Sequence, residues 1–255
     1  MTMADGAAMW IPLGLAAVPG ILAFVVAILN NQAQKRSAQQ LEELRHRLAD
    51  EGRQRALVQR YREPLARAAY DLQSRLWNIL RGSFLDPSDP KGRHWLYARD
   101  STVWLFAQYF GWVEIVRREI QFVPAGEDDP NPKLEAVIGK VAHVCSTDSF
   151  GSGLFQVLRS EQRALGELVI VEGHDAEGRT RTSCMGFAAF RAALDDPSSE
   201  ISSWFSYLQE DATSVARTGI MCGRLRHLQH ALIDLVDILD PREVRFPTDR
   251  KKVRD

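Results

Sequence analysis

The stretch HLQHALIDLVD is the part of this chain closest in pattern to a reactive site. His227, His230, Asp234 and Asp237 follow one another at spacings of 3, 4 and 3, so a helix puts all four on one face. Imidazole nitrogens and carboxylate oxygens suit zinc or manganese, and neighbouring helical turns bring such side chains within reach of one ion. The rest of the helix argues for a plainer role. At ~100° per residue, Met221, Leu225, Leu228, Leu232, Leu235 and Leu239 point one way and the His/Asp face points roughly the other. Polar residues opposite an apolar stripe form an ordinary solvent face, so no metal is expected here.

Arginines are the second candidate. FQVLRSEQRALGELVIVEG places Arg159, Glu161, Arg163 and Glu167 around a short helix entering a β element. Solvated charge pairs account for most of that pattern. Arg117, Arg159 and Arg163 are nevertheless the residues expected to contact an anion or a partner. STDSFGSG has the glycines of a phosphate cradle but lacks the Gly-Lys-Ser/Thr ending, and reads as a turn. No Gly-x-Ser-x-Gly elbow occurs, and His174 beside Asp175 reads as a turn residue. No catalytic residue and no cofactor are expected. The three cysteines, Cys145, Cys184 and Cys222, are too few and too far apart for a disulfide framework, and read as small buried residues. A formal charge of −1 leaves no global basic field, so nucleic acid is not an expected partner.

The elements that would carry these residues begin with an apolar run. From Met9 to Leu29 there is no Asp, Glu, Lys, Arg or His, roughly 31 Å of helix at ~1.5 Å per residue. That length predicts a transmembrane helix over 9–29. No Lys or Arg precedes it, whereas Lys35, Arg36, Arg45, Arg47, Arg53 and Arg55 follow. The positive-inside rule places residues 1–8 outside and the remainder in the cytoplasm, as a single-pass protein of the plasma (inner) membrane. An uncleaved anchor is expected, because the first eight residues carry an acid and no base, and no small-x-small site follows the run.

Residues 30–62 predict a polar helical stalk. Leu41, Leu44 and Leu48 keep an a/d/a spacing for one heptad, after which Glu51 and Arg55 take the seam and Gly52 weakens the helix. This is short of a coiled coil, although a homodimer through the stalk is one expected arrangement. Residues 63–241 predict a helical cytoplasmic domain with a β hairpin near 167–186. Asp100 or Ser101 is the expected N-cap of a central helix whose Trp104, Phe106, Phe110 and Trp112 supply core bulk. Residues 242–255 read as a polar, frayed tail.

YREPLARAAYDLQSRLWNIL and STVWLFAQYFGWVEIVRREIQF resemble stretches of uncharacterised bacterial proteins that have an N-terminal membrane helix and a helical cytoplasmic region. The resemblance implies that architecture and no activity. The expected fold is mainly α, with one transmembrane helix, a stalk and a helical domain bearing one small hairpin. The expected partners are the lipid bilayer and an unknown protein. The expected function is a membrane-tethered cytoplasmic interaction or scaffold module, of the kind that serves as a sensor or effector in signalling or defence. The alternative is a membrane-anchored enzyme or ligand-binding domain. Its site would be assembled from scattered residues, with the Trp104–Trp112 helix as a wall and Arg117, Arg159 and Arg163 contacting an anion.

Overall fold

The computed structural model describes residues 11–82, 84–86, 88, 92–120, 131–174, 178, 180–218 and 223–254. The chain divides into two compact units, Met1–Ala56 and Leu57–Asp255. Among the described residues it is mainly α-helical, with one antiparallel hairpin.

In the first unit, helix α1 (Ile11–Arg81) begins. Leu41, Leu44 and Leu48 are 53%, 55% and 58% exposed, so the three seam leucines are uncovered. Glu42 lies 3.9 Å from Arg45 and 3.7 Å from His46, one turn along; such exposed pairs contribute little. Among the described residues no helix is long and apolar enough to cross a membrane. The stretch Met9–Leu29, predicted to be the span, lies outside the residues whose side chains are described.

The second unit starts from the remainder of α1. Leu65, Ala69, Leu72 and Leu76, spaced at 3 and 4, are fully buried, so the predicted apolar stripe is the buried face. Pro64 and Gly52 both lie within the helix bounds. Arg62 donates from Nε to the Leu239 carbonyl at 2.5 Å. Arg75 donates to Ser101 Oγ at 2.7 Å and Thr102 Oγ1 at 2.9 Å. The helix thus sits between the element bearing Leu239 and the one bearing Ser101.

That second element is α2 (Arg93–Ile120), which begins well before the expected cap. Asp100 and Ser101 lie inside it and are buried, and the earlier turns add Trp95 and Ala98 to the core. The correction has a physical reason. The apolar period continues upstream through Trp95 and Ala98, and Asp100 is paired rather than capping. It lies 2.7 Å from Arg99 Nε and 3.1 Å from Arg191 Nη1, and accepts from Gln209 Nε2 at 2.8 Å.

Around α2 pack α4 (Arg159–Leu168), the hairpin β1 (Ile170–His174) and β2 (Thr180–Cys184), α5 (Phe187–Asp195) and α6 (Glu200–Thr218). The strands pair from Ile170 opposite Cys184 to His174 opposite Thr180, so His174 ends a strand rather than forming the turn. α3 (Asn131–Ser146) packs on α7 (Gly223–Leu239) and α4. Two glycines set the closest approaches. A Cβ on Gly166 would stand 2.6 Å from the Phe110 carbonyl oxygen, and one on Gly111 would stand 2.6 Å from Cys184 Sγ. Any side chain there would push α4 or β2 off α2.

The segment after α7 is not frayed. Phe246 and Val253 are buried, and Phe246 stacks on Tyr70 of α1 at 4.6 Å. Asp240 accepts backbone N–H bonds from Val244, Arg245 and Phe246 and lies 2.6 Å from Arg250 Nη2. Polar composition suggested a free end, but polar groups dock when buried partners are provided for them.

Candidate functional site

The loop that leads into the arginine-bearing helix is built around Arg224, which is fully buried. Its guanidinium donates to the carbonyls of Val144, Cys145, Thr147, Ser152 and Leu154 at 2.7–3.1 Å and lies 5.1 Å from the Phe150 ring. The orphan carbonyls at the C-terminal end of α3 are thereby satisfied by a side chain some eighty positions later. Phe155 is held at φ 54, a conformation rare for a bulky residue. Its N–H donates to Asp211 Oδ2 at 2.8 Å, and its ring stacks on Phe106 at 5.5 Å. STDSFGSG is therefore a fixed loop whose carbonyls turn inward to a cation, the reverse of a phosphate cradle.

This loop delivers α4 to a cleft of about 430 Å³ between α2, α3 and α4. Arg117, Arg159 and Arg163 all line it, so the three arginines singled out by sequence do share one site. The organising group is Glu114, 2% exposed. Arg117 donates to both its oxygens, at 2.8 and 2.5 Å, and Arg118 donates at 2.9 Å. Arg163 Nε stands 3.9 Å away. Burial alone would raise the Glu114 carboxyl, but the hydrogen bonds from Arg117 and Arg118 outweigh it and hold the group below its ordinary value. The same contact raises the Arg117 guanidinium. Glu114 thus gathers Arg117, Arg118 and Arg163, and Arg118 also lies 3.3 Å from Glu167; with Arg159 the guanidinium groups still outnumber these two carboxylates.

Arg159 opens α4, at the helix end where the backbone dipole already favours anions. Glu161 answers the dipole by accepting from the Leu158 N–H at 2.7 Å. Phe110, Val113, Ile138 and Ala142 give the cleft an apolar floor. Tyr109 also lines it, 2% exposed, and its hydroxyl finds no hydrogen-bond partner among the described residues. The chemistry available is capture of a carboxylate or phosphate attached to an apolar body.

The aromatic wall serves a different cleft. Trp104 and Trp112 line a space of about 610 Å³ with Arg60, Arg67, Asp71 and Arg181, while Phe106 and Phe110 are core. Trp104 Nε1 and Gln108 Nε2 both donate to the Met185 carbonyl, at 3.1 and 2.7 Å. Burial raises the Asp71 carboxyl, against the opposing charges of Arg67 and Arg75. The single site in which these tryptophans would face Arg117, Arg159 and Arg163 does not form.

The His/Asp face of α7 is only in part a solvent face. His227 is exposed, with Nδ1 2.9 Å from the Gly223 carbonyl. His230 Nε2 lies 2.8 Å from the Val253 carbonyl. Asp234 is clamped by Lys140 and Lys252, and Asp237 lies 3.1 Å from Arg250. The segment after α7 covers what the helical pattern left open. Among the described residues no group of three or more His, Cys, Asp and Glu could hold a metal ion. Burial pushes the Cys145 and Cys184 thiols up to about 12, which makes them unreactive near neutrality. Cys222 lies outside the described residues.

No protein-family model, curated protein or solved structure matches the chain.

Proposed function

We propose that the chain is a membrane-tethered interaction or scaffold module that takes an anionic group of a partner protein in the arginine cleft. The observation that carries this reading is the convergence of Arg117, Arg159 and Arg163 on one cleft around the buried Glu114. Three guanidinium groups above an apolar floor, with Arg117 held by Glu114, suit an acidic residue next to a bulky apolar one. The tether is the apolar run Met9–Leu29, with the bases of 35–55 holding the domain on the cytoplasmic face of the inner membrane. The exposed Leu41, Leu44 and Leu48 suit stalk pairing with a second copy. A sensor or effector role in signalling or defence fits this plan.

The test combines localisation and capture. The full chain should stay with membranes through an alkaline carbonate wash, and residues 37–255 should not. In membranes from the native cell, Arg159→Glu with Arg163→Glu should remove specific cross-linked proteins at an unchanged melting temperature. An identical cross-linking pattern, or a chain washed free of the membrane, overturns the corresponding half of the reading.

A second reading, a membrane-anchored enzyme or ligand-binding domain, is favoured by one observation: the raised Asp71 carboxyl in the cleft walled by Trp104 and Trp112. Native mass spectra of the intact protein would carry a retained small molecule on that reading, and Trp112→Ala would lose it.

A further inference from the structure

The segment after α7 is held down by buried amides rather than by apolar bulk alone. Gln229, fully buried, donates from Nε2 to the Lys251 carbonyl at 2.9 Å and accepts the Val253 N–H at 3.1 Å. Gln73, 1% exposed, donates to the Asp249 carbonyl at 3.0 Å and accepts from Gln229 at 3.2 Å. Two buried glutamines from α1 and α7 thus fix the backbone of residues 249–253 almost as a partner strand would. Arg250 is fixed as well, by Asp237, Asp240 and the Phe246 carbonyl.

What this fixed backbone presents is charge. It closes a cleft of about 850 Å³ with the end of α1 and one side of α7. Six cationic side chains line that cleft (Arg81, Arg226, Arg250, Lys251, Lys252 and Arg254) against one carboxylate, Asp237. The whole chain carries a formal −1, so this is a local concentration and no reflection of overall composition. Arg250 and Lys252 are committed to Asp237, Asp240 and Asp234. Arg81, Lys251 and Arg254 are mostly exposed and make no ion pair among the described residues. Arg81 instead lies 5.6 Å from the Trp77 ring, which also lines the cleft.

Holding like charges together on an ordered backbone is unfavourable unless something multiply negative arrives. A single carboxylate would leave most of the surplus unanswered, whereas linked phosphates match three or more cations at once. We propose that the cleft between the end of α1, α7 and residues 250–254 binds a group carrying two or more phosphates, with Arg81, Lys251 and Arg254 as its principal contacts. The group belongs either to a soluble polyphosphate compound or to a phosphoinositide-type headgroup. The chemistry is common to both, and Trp77 offers a ring face beside it.

The test uses the full chain in detergent and in lipid nanodiscs. Calorimetric titration with tripolyphosphate should show saturable binding that weakens as salt rises. Lys251→Glu with Arg254→Glu should weaken it by about tenfold or more. Arg81→Glu is the independent variant on a different element, and should act in the same direction. Melting temperatures within those of the parent chain show that the fold is intact. Arg159→Glu with Arg163→Glu should leave this binding unchanged, which separates it from the arginine cleft. Soluble inositol trisphosphate competing better than tripolyphosphate, with tighter nanodisc association on bisphosphorylated phosphoinositide than on phosphatidylserine at equal charge, identifies the lipid source. The opposite order identifies the soluble one. Absence of tripolyphosphate and inositol phosphate binding, binding indifferent to both sets of charge reversals, or a single-stranded oligonucleotide bound far more tightly than either probe overturns the proposal.

Discussion

Two irregular segments of the second unit, residues 147–158 and 240–254, are both fastened by a polar side chain from the buried face of α7. They are fastened differently. The first closes on Arg224, a full charge whose donors are taken by carbonyl dipoles. The second closes on Gln229, a neutral amide that gives one hydrogen bond to the segment and takes another from it, backed by Gln73, Asp240 and Arg250. A buried guanidinium is tolerable only while every donor is occupied. The first loop therefore leans most heavily on one side chain, with the Phe155 N–H bond to Asp211 and the Val157 N–H bond to Cys145 beside it. In the second, several neutral or paired contacts share the work, and each can be lost separately.

The largest effect should come from removing Arg224. Arg224→Ala removes a buried donor group from five inward carbonyls and leaves a void beside Phe150, and should cost about 4 kcal/mol in denaturant unfolding or prevent folding. Arg224→Lys should recover only part of that loss, since three ammonium donors cannot meet five acceptors. A cost below about 1 kcal/mol would place Arg224 with ordinary surface substitutions and remove the contrast.

On the other side, Asp240→Ala should cost about 3 kcal/mol, because three backbone N–H groups lose their acceptor and Arg250 loses one of several. Gln229→Leu keeps the volume but removes the amide, and should cost about 2 kcal/mol. In both variants, limited proteolysis should cut between residues 241 and 254 while the loop at 147–158 stays resistant. Cleavage in both segments together would show that the fastenings are not independent.

The smallest effect is a pH dependence. Burial would raise Asp240, but hydrogen bonds from Phe246, Arg245 and Val244 and the charge of Arg250 outweigh it, so its folded pKa lies below the ordinary value. A depressed carboxyl contributes stability that is complete above its unfolded pKa, about 3.9, and is lost as pH falls through the folded value. Melting temperatures of the parent should therefore fall more steeply below about pH 4 than those of Asp240→Ala. Parallel curves would show that Asp240 is not depressed. The loop built on Arg224 should add no comparable acid limb, since its acceptors are carbonyls.

How much of this was legible differs along one helix. The apolar stripe of α7 was readable from spacing, and Leu225, Leu228, Leu232, Leu235 and Leu239 are all buried. Arg224 and Gln229 sit among them, equally buried, and periodicity discounts such residues because it equates polar with solvated. A charged residue immediately beside an apolar stripe position was the available signal. The arginine cleft was legible in part. Residue type drew attention to Arg117, Arg159 and Arg163, but not to Glu114, the buried carboxylate that binds Arg117 and lies 3.9 Å from Arg163. Of the four rings expected to supply core bulk, Phe106 and Phe110 are buried, whereas Trp104 and Trp112 also line a cleft, because one sequence does not tell which face of a helix its neighbours will cover. The docked segment beyond Asp240 was missed for the same reason: its partners, Gln73 and Gln229, lie far off in the chain.

That remoteness bears on the order of events during synthesis. Tyr70 and Gln73 of α1 reach the carbonyls of Thr248 and Asp249, 178 and 176 positions later, while Arg224 reaches back 70–80 positions to seal the end of α3. On a growing chain, α1 and α3 are made early and must wait, with Leu72, Leu76 and the α3 carbonyls incompletely covered, until residues 224–253 have left the ribosome. The unit is therefore exposed to chaperones and proteases for most of its translation. Slowing translation between residues 146 and 224 should therefore lower the yield of folded chain in a pulse-chase measurement more than slowing it before residue 60.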